Sequence, residues 1–305
     1  MFSSYYGRKI MRKFITAFHG FCMALADSVP GISGGTVAFI MGFYERLVGA
    51  IGSLLKNNGG ERKAAFLYLC VFCAGWLPGM ALCILVLSRI FSTHIYALSS
   101  AFMGLSIAAF FCILHEEKSV LKNNLRYCVF GLVGAFLVVA LTMLKNFFPG
   151  NSVVDFSALN FWQYLFIFAS GVAAVTAMIL PGISGSTVLL ICGIYVPAVS
   201  AFKEVMAGNL EFAGGCVCLV LGIVAGLFSA ARGISLLLEK FRPQMVFLVS
   251  GLVLGSLYAI IYGPSSLKVP LTPLSLSTFS VPAFLVGIAA LAVLEFAKKK
   301  MEKIE

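Results

Sequence analysis

Two octapeptides carry the residue types best suited to holding an anion. Residues 30–37 read Pro-Gly-Ile-Ser-Gly-Gly-Thr-Val, and residues 181–188 read Pro-Gly-Ile-Ser-Gly-Ser-Thr-Val. The Pro-Gly pair breaks a helix, because proline lacks the amide donor and glycine has little helical preference. The Ser, Gly and Thr that follow open a new one. A helix start offers free amides and a partial positive charge. Glycines let a ligand approach the backbone, and hydroxyls add donors. Ser33, Gly34, Gly35 and Thr36, with Ser184, Gly185, Ser186 and Thr187, are therefore candidate ligands of a phosphate or carboxylate. The same residues also suit plain helix capping and close helix packing. Two facing copies near the middle of a membrane favour the anion site.

Three ionisable residues, Asp27, Glu45 and Arg46, lie in or near the first stretch, and Arg232 lies farther along the chain. Arg46 can neutralise an anionic ligand and grip phosphate with two nitrogens, or form a structural ion pair with Asp27. Asp27 ends the first arm, where the helix dipole disfavours a negative charge, so it needs a proton, a cation or an arginine. Asp27 and Glu45 are the candidate coupling-ion residues, for a proton or sodium. Arg232 sits near the end of an apolar segment, placed to snorkel or to give a second phosphate contact.

These residues need elements to hold them, and composition says which. The chain has 305 residues, 60% hydrophobic and 11% charged, with mean hydropathy +1.00. Soluble domains carry about 25% charged residues, so this is an integral membrane protein. Its apolar runs are long and do not alternate, which makes it all-α rather than a barrel. The net charge of +10 follows from loop lysines and arginines and does not call for nucleic acid. Of the nine cysteines, Cys70 and Cys73 form a C-x-x-C and Cys216 and Cys218 a C-x-C. All four lie in apolar segments without nearby His or acidic partners, so they are read as small lipid-buried hydrophobes. His19, His94 and His115 are scattered, so neither metal nor cofactor is expected. Arg8, Lys9, Arg12 and Lys13 before an apolar run mimic a signal peptide. Cleavage would remove the first arm of an element that the second half keeps, so the segment is expected to stay.

Shifting the chain by 151 residues superposes Pro30 on Pro181 with the whole motif. The same shift matches Gly42 with Gly193, Tyr44 with Tyr195, Ala74-Gly75 with Ala225-Gly226, Arg89 with Lys240, and Gly104 with Gly255. The chain is thus expected to be an internal repeat, 1–150 and 151–305. Asp27, Glu45 and Arg46 do not recur; they align with Met178, Val196 and Pro197. The apolar segments are 14–26, 37–55, 66–88, 96–114 and 127–144, then 161–180, 188–202, 215–238, 245–262 and 281–297. Segment 14–26 makes only about 20 Å of helix, against about 30 Å of bilayer core. Each half is therefore expected to hold a re-entrant helical hairpin (14–55 and 161–202) and three transmembrane helices. The alternative is ten full crossings. Pro78-Gly79 and Pro197 can kink their helices.

Either count per half is odd, so the second half inserts with inverted topology. With the N-terminus inside, only Arg89, Lys145, Lys203 and Lys268 of the 22 lysines and arginines fall outside, while Arg46 and Arg232 lie within apolar segments. Both termini are therefore expected in the cytoplasm. Loops 145–160 and 263–280 lie outside.

The stretch Asp27-Ser-Val-Pro-Gly-Ile-Ser-Gly-Gly-Thr, continuing to Gly42-Phe-Tyr-Glu-Arg46, resembles the bacterial polyprenyl-phosphate transporter family, formerly a domain of unknown function. Leu180-Pro-Gly-Ile-Ser-Gly-Ser-Thr187 with Gly193-Ile-Tyr195 is similar to it as well. The resemblance covers nearly the whole chain. It implies a plasma-membrane flippase that returns undecaprenyl phosphate to the cytoplasmic leaflet for envelope polymer synthesis. Two other functions stay open. A polyprenyl-pyrophosphate phosphatase would need a general acid or base at the phosphate, and Glu45 has no obvious partner. A small-anion carrier could use the same scaffold.

Overall fold

The computed structural model describes residues 2–27, 33–54, 58–147, 154–264 and 271–302. All regular structure among them is helical: α1 (Phe2–Asp27), α2 (Gly34–Ile40), α3 (Tyr44–Ser53), α4 (Gly59–Thr93), α5 (Ile95–Glu116), α6 (Lys118–Asn123), α7 (Cys128–Phe147), α8 (Phe161–Ile179), α9 (Gly185–Ile191), α10 (Tyr195–Met206), α11 (Ala213–Lys240), α12 (Arg242–Ile261) and α13 (Val281–Glu302). Pro30, Gly31 and Ile32 of the first motif fall outside the described residues, as do parts of loops 145–160 and 263–280.

Among the described residues, six helical segments are long and apolar enough to cross a membrane: Gly59–Leu82, Ile95–Glu116, Leu125–Leu144, Phe161–Ile179, Leu210–Lys240 and Arg242–Ile261. The joined pair α9 and α10 would make a seventh, but it bends by 101°. Val281–Phe296 is apolar and shorter.

Three expected boundaries change. The first arm is not 14–26. Helix α1 starts at Phe2 and has 26 residues, about 39 Å of helix, because the basic residues before the apolar run continue the same turns. Segments 37–55 and 188–202 are not single arms either. Each is two helices, α2 then α3 and α9 then α10, with Gly42 and Gly193 between them at φ 74° and 69°. An L side chain rarely adopts that backbone, so glycine sets both corners. Pro197 lies in the first turn of α10, where a proline causes no kink. Pro78 does lie inside α4.

The helices pack in pairs. Helix α1 runs against α4 and α8 against α11, while α5 packs on α13 and α7 on α12. Lipid gives helices little hydrophobic reason to associate, so close approach through small residues becomes important. Gly75 of α4 meets the α1 backbone at Ala17, and Gly226 of α11 meets α8 at Val172. Gly104 of α5 meets Phe284 of α13, and Gly255 of α12 meets Ala135 of α7. Positions matched by the 151-residue offset thus serve matching helix pairs. Helix α8 starts from a capping box, Asn160 Oδ1 accepting from Gln163 N and Gln163 Oε1 from Asn160 N, both at 2.9 Å. Ahead of it, Asp155 Oδ1 accepts from Ser157 N and Oγ, which holds that carboxyl below its usual range. Outside the core, Tyr96 Oη of α5 donates to the Thr272 carbonyl at 3.1 Å, fastening the loop before α13.

Candidate functional site

Two short helices, α2 and α9, bring the motifs into the protein. The start of α2 is closed upon itself. Asp27, the last residue of α1, accepts from Gly34 N at 2.8 Å, and Trp76 Nε1 of α4 donates to its other oxygen at 3.5 Å. Ser33 is the N-cap of α2, its Oγ accepting from Gly35 N at 3.1 Å. Ser33, Gly34, Gly35 and Thr36 are all buried.

The first motif also touches the approach to the second. The last carbonyls of a helix have no partner within it. At the end of α8, Ser33 Oγ stands 3.3 Å from the carbonyl oxygens of both Met178 and Leu180 and donates its one proton to either. Tyr44 Oη donates to the Ile179 carbonyl at 3.1 Å. A methyl built on Gly35 would stand 2.7 Å from Ile179 O and 3.3 Å from Pro181 N. Only glycine lets the two backbones come this close.

The second motif is open where the first is closed. Pro181, Gly182, Ile183 and Gly185 are buried, but Ser186 is exposed and Ser184 and Thr187 are half-buried. Helix α9 has no side-chain cap. The Ser184 and Ser186 hydroxyls bond each other at 2.8 Å. Gly182, at φ 87°, lies against the α12 backbone at Leu252. One motif is therefore filled by the protein's own carboxylate, while the other shows its hydroxyls to the surroundings.

The remaining candidates lie along α3, α11 and α12. Arg46 is exposed, with its guanidinium 4.8 Å from the centre of the Tyr68 ring on α4. Arg232 is exposed on α11, its backbone against Gly52 of α3. Glu45 pairs with Arg242 at 2.9 Å, and Arg242 pairs with Glu117 at 2.9 Å as well. The structure thus joins Asp27, Ser33, Gly34 and Gly35 to residues 178–181. It sends Glu45 to α12 and Arg46 to α4.

Four residues of this arrangement were missed in the sequence: Tyr44, Trp76, Glu117 and Arg242. Tyr44 gave a signal, since the repeat pairs it with Tyr195. Trp76 and Glu117 act across distances that no spacing discloses, and Arg242 looked like one more basic loop residue. Among the described residues, ligand atoms of Cys112, Glu116 and Glu295 fall within 4.8 Å of one another. Glu295 also pairs with Lys299 at 3.4 Å.

A profile of the VCA0040-like, undecaprenyl phosphate translocase-like family matches residues 23–275. A polyprenyl-phosphate transporter of Vibrio cholerae serotype O1 is 31% identical over 259 residues, 82% of this chain and 78% of its own. A polyprenyl-phosphate transporter of Staphylococcus aureus is 28% identical over 253 residues, 82% of this chain and 87% of its own. No solved structure matches.

Proposed function

The chain belongs to the undecaprenyl phosphate translocase-like family, and we propose that it carries polyprenyl phosphate from the outer to the cytoplasmic leaflet of a bacterial inner membrane. The phosphate is held where the two motifs meet, while the polyprenyl tail stays in lipid. The contact of Ser33 and Gly35 with residues 178–181 carries this proposal. It sets a closed, carboxylate-filled helix start beside an open one whose serine hydroxyls bond only each other among the described residues. The relatives' names support the substrate class.

In this proposal the chain is an inverted repeat with both termini in the cytoplasm. The 101° bend between α9 and α10 and the matching glycine corners support re-entrant hairpins. Asp27 serves as the internal stand-in for the substrate's phosphate. Its carboxylate accepts from Gly34 as a phosphate oxygen would. An internal carboxylate on one motif and accessible hydroxyls on the other let the two alternate in holding the phosphate. Arg46 lies on the hairpin and supplies the positive charge that neutralises the head group; Arg232, on α11 with its backbone against Gly52 of α3, is the second candidate cation. Asp27 and Glu45 are the positions at which a coupling proton or sodium acts.

Proteoliposomes with labelled undecaprenyl phosphate test this. Leaflet exchange dependent on the protein, and absent with the matching polyprenol, is expected. Release of inorganic phosphate from a polyprenyl pyrophosphate without exchange would instead mark a phosphatase. Exchange of soluble anions but not of lipid phosphate would mark a small-anion carrier.

A further inference from the structure

We infer that Arg242 is a second phosphate-binding position, which takes the head group of a phosphate monoester in exchange for Glu45 and Glu117. This rests on the lipid-phosphate function proposed above. Arg242 opens α12 and presents its two terminal nitrogens to two different carboxylates, Nη1 to Glu45 Oε1 and Nη2 to Glu117 Oε1, each at 2.9 Å. Two oxygens of one phosphate can replace that pair, because the planar fork suits bidentate binding.

Access and room are both present. The Arg242 side chain is 47% exposed. Beside it is a cavity of about 370 Å³, lined by Glu45, Ser235, Leu238, Glu239 and Arg242. Ser235 adds a hydroxyl to the cavity lining, in which Glu45 and Glu239 are the charged groups besides Arg242. The Arg242–Glu45 pair is solvent-exposed on both sides, and such pairs are weak and exchange readily, so this half of the bridge yields first to a doubly charged ligand. Glu117, 15% exposed, is the more firmly held competitor. Carboxylates crowd the same guanidinium, which makes phosphate binding and the bridge mutually exclusive.

The bridge also connects to the motifs. It ties α3, the end of α5 and the start of α12 together. Glu45 follows Tyr44, whose hydroxyl holds the Ile179 carbonyl just ahead of Pro181. A head group that takes Arg242 from Glu45 therefore frees the start of α3 and loosens its grip on the second motif's approach. Arg242 is thus a handover point at the end of α12 assigned to the cytoplasm.

The test uses the purified full-length protein and its binding of a short-chain polyprenyl phosphate, with the matching polyprenol as blank. Arg242→Gln is expected to weaken binding roughly tenfold through the lost charged hydrogen bonds, and Arg242→Lys by less, since it keeps the charge but not the fork. Glu117→Gln is expected to tighten binding by about two- to fivefold, because a competitor is removed. Opposite signs for these two positions are the signature of exchange. If Glu117→Gln weakens binding in step with Arg242→Gln, the bridge is structural only and the inference fails. Wild-type binding that Arg242→Gln leaves unchanged sinks the inference alone. No wild-type binding of lipid phosphate sinks the function proposed above and this inference with it. Inorganic phosphate that competes in wild type supports recognition of phosphate alone. Its failure to compete, with Arg242 dependence kept, supports recognition of the tailed head group.

Discussion

Gly35→Ala places one methyl group between the two motifs. That methyl would stand 2.7 Å from Ile179 O and 3.3 Å from Pro181 N. Ordinary contacts of this kind begin at 3.4 Å, so the backbones must part by about 0.7 Å. Both neighbours are main-chain atoms and cannot swing aside. Overpacking of this sort costs about 1–3 kcal/mol. Gly35 lies inside α2, so alanine returns about 1 kcal/mol in helix preference. The net loss of stability is therefore small, about 0–2 kcal/mol, and the protein stays folded. Transport depends on the spacing itself and is expected to fall well below wild type. Gly49→Ala is the matched control: it has nothing within 4 Å and sits inside α3, so it should melt slightly higher and transport normally. Melting temperature and leaflet exchange in proteoliposomes, read on both variants, separate the two effects. A folded Gly35→Ala protein that transports like wild type would refute the need for close contact between the motifs.

Three further changes probe the same site. Ser184→Ala with Ser186→Ala should leave the melting temperature nearly unchanged, because neither hydroxyl is buried, while polyprenyl-phosphate binding drops by about a hundredfold or more from two lost hydrogen bonds to a charged group, about 3 kcal/mol at the least. Tyr44→Phe leaves the Ile179 carbonyl unsatisfied and should lower stability by about 1–3 kcal/mol, measured by thermal melting. Arg46→Ala should abolish translocation in a protein that still folds; undiminished leaflet exchange would remove this arginine from the mechanism.

Much of this was legible in the sequence, for physical reasons. A Pro-Gly pair in an apolar run does not continue a helix, so the break between α8 and α9 could be found from residue types alone. Helices α2 and α9, Gly34–Ile40 and Gly185–Ile191, open at the motifs as their residue types suggest and stand 151 residues apart, although the apolar runs place their starts at 37 and 188. The sharp turns at Gly42 and Gly193 were missed, because an apolar run does not show where its backbone reverses. Hydropathy marks only the apolar part of α1; the helix begins earlier, at Phe2, because lysine and arginine are good helix formers. At the site, Asp27 was expected to need a proton, a cation or an arginine. It is met by the Gly34 amide and the Trp76 indole, and an amide seven residues ahead becomes a partner only once the chain has folded back. The unequal exposure of two nearly identical motifs was likewise hidden, since it depends on what packs around them.

The most direct measurement is the position of phosphorus in a structure of the full-length protein with bound polyprenyl phosphate. We predict it within hydrogen-bond reach of the Ser184–Ser186 hydroxyls and amides, with Ser33 and Gly35 still close to residues 178–181. Phosphorus held elsewhere, with the two motifs packed shut or drawn apart, would contradict the central claim.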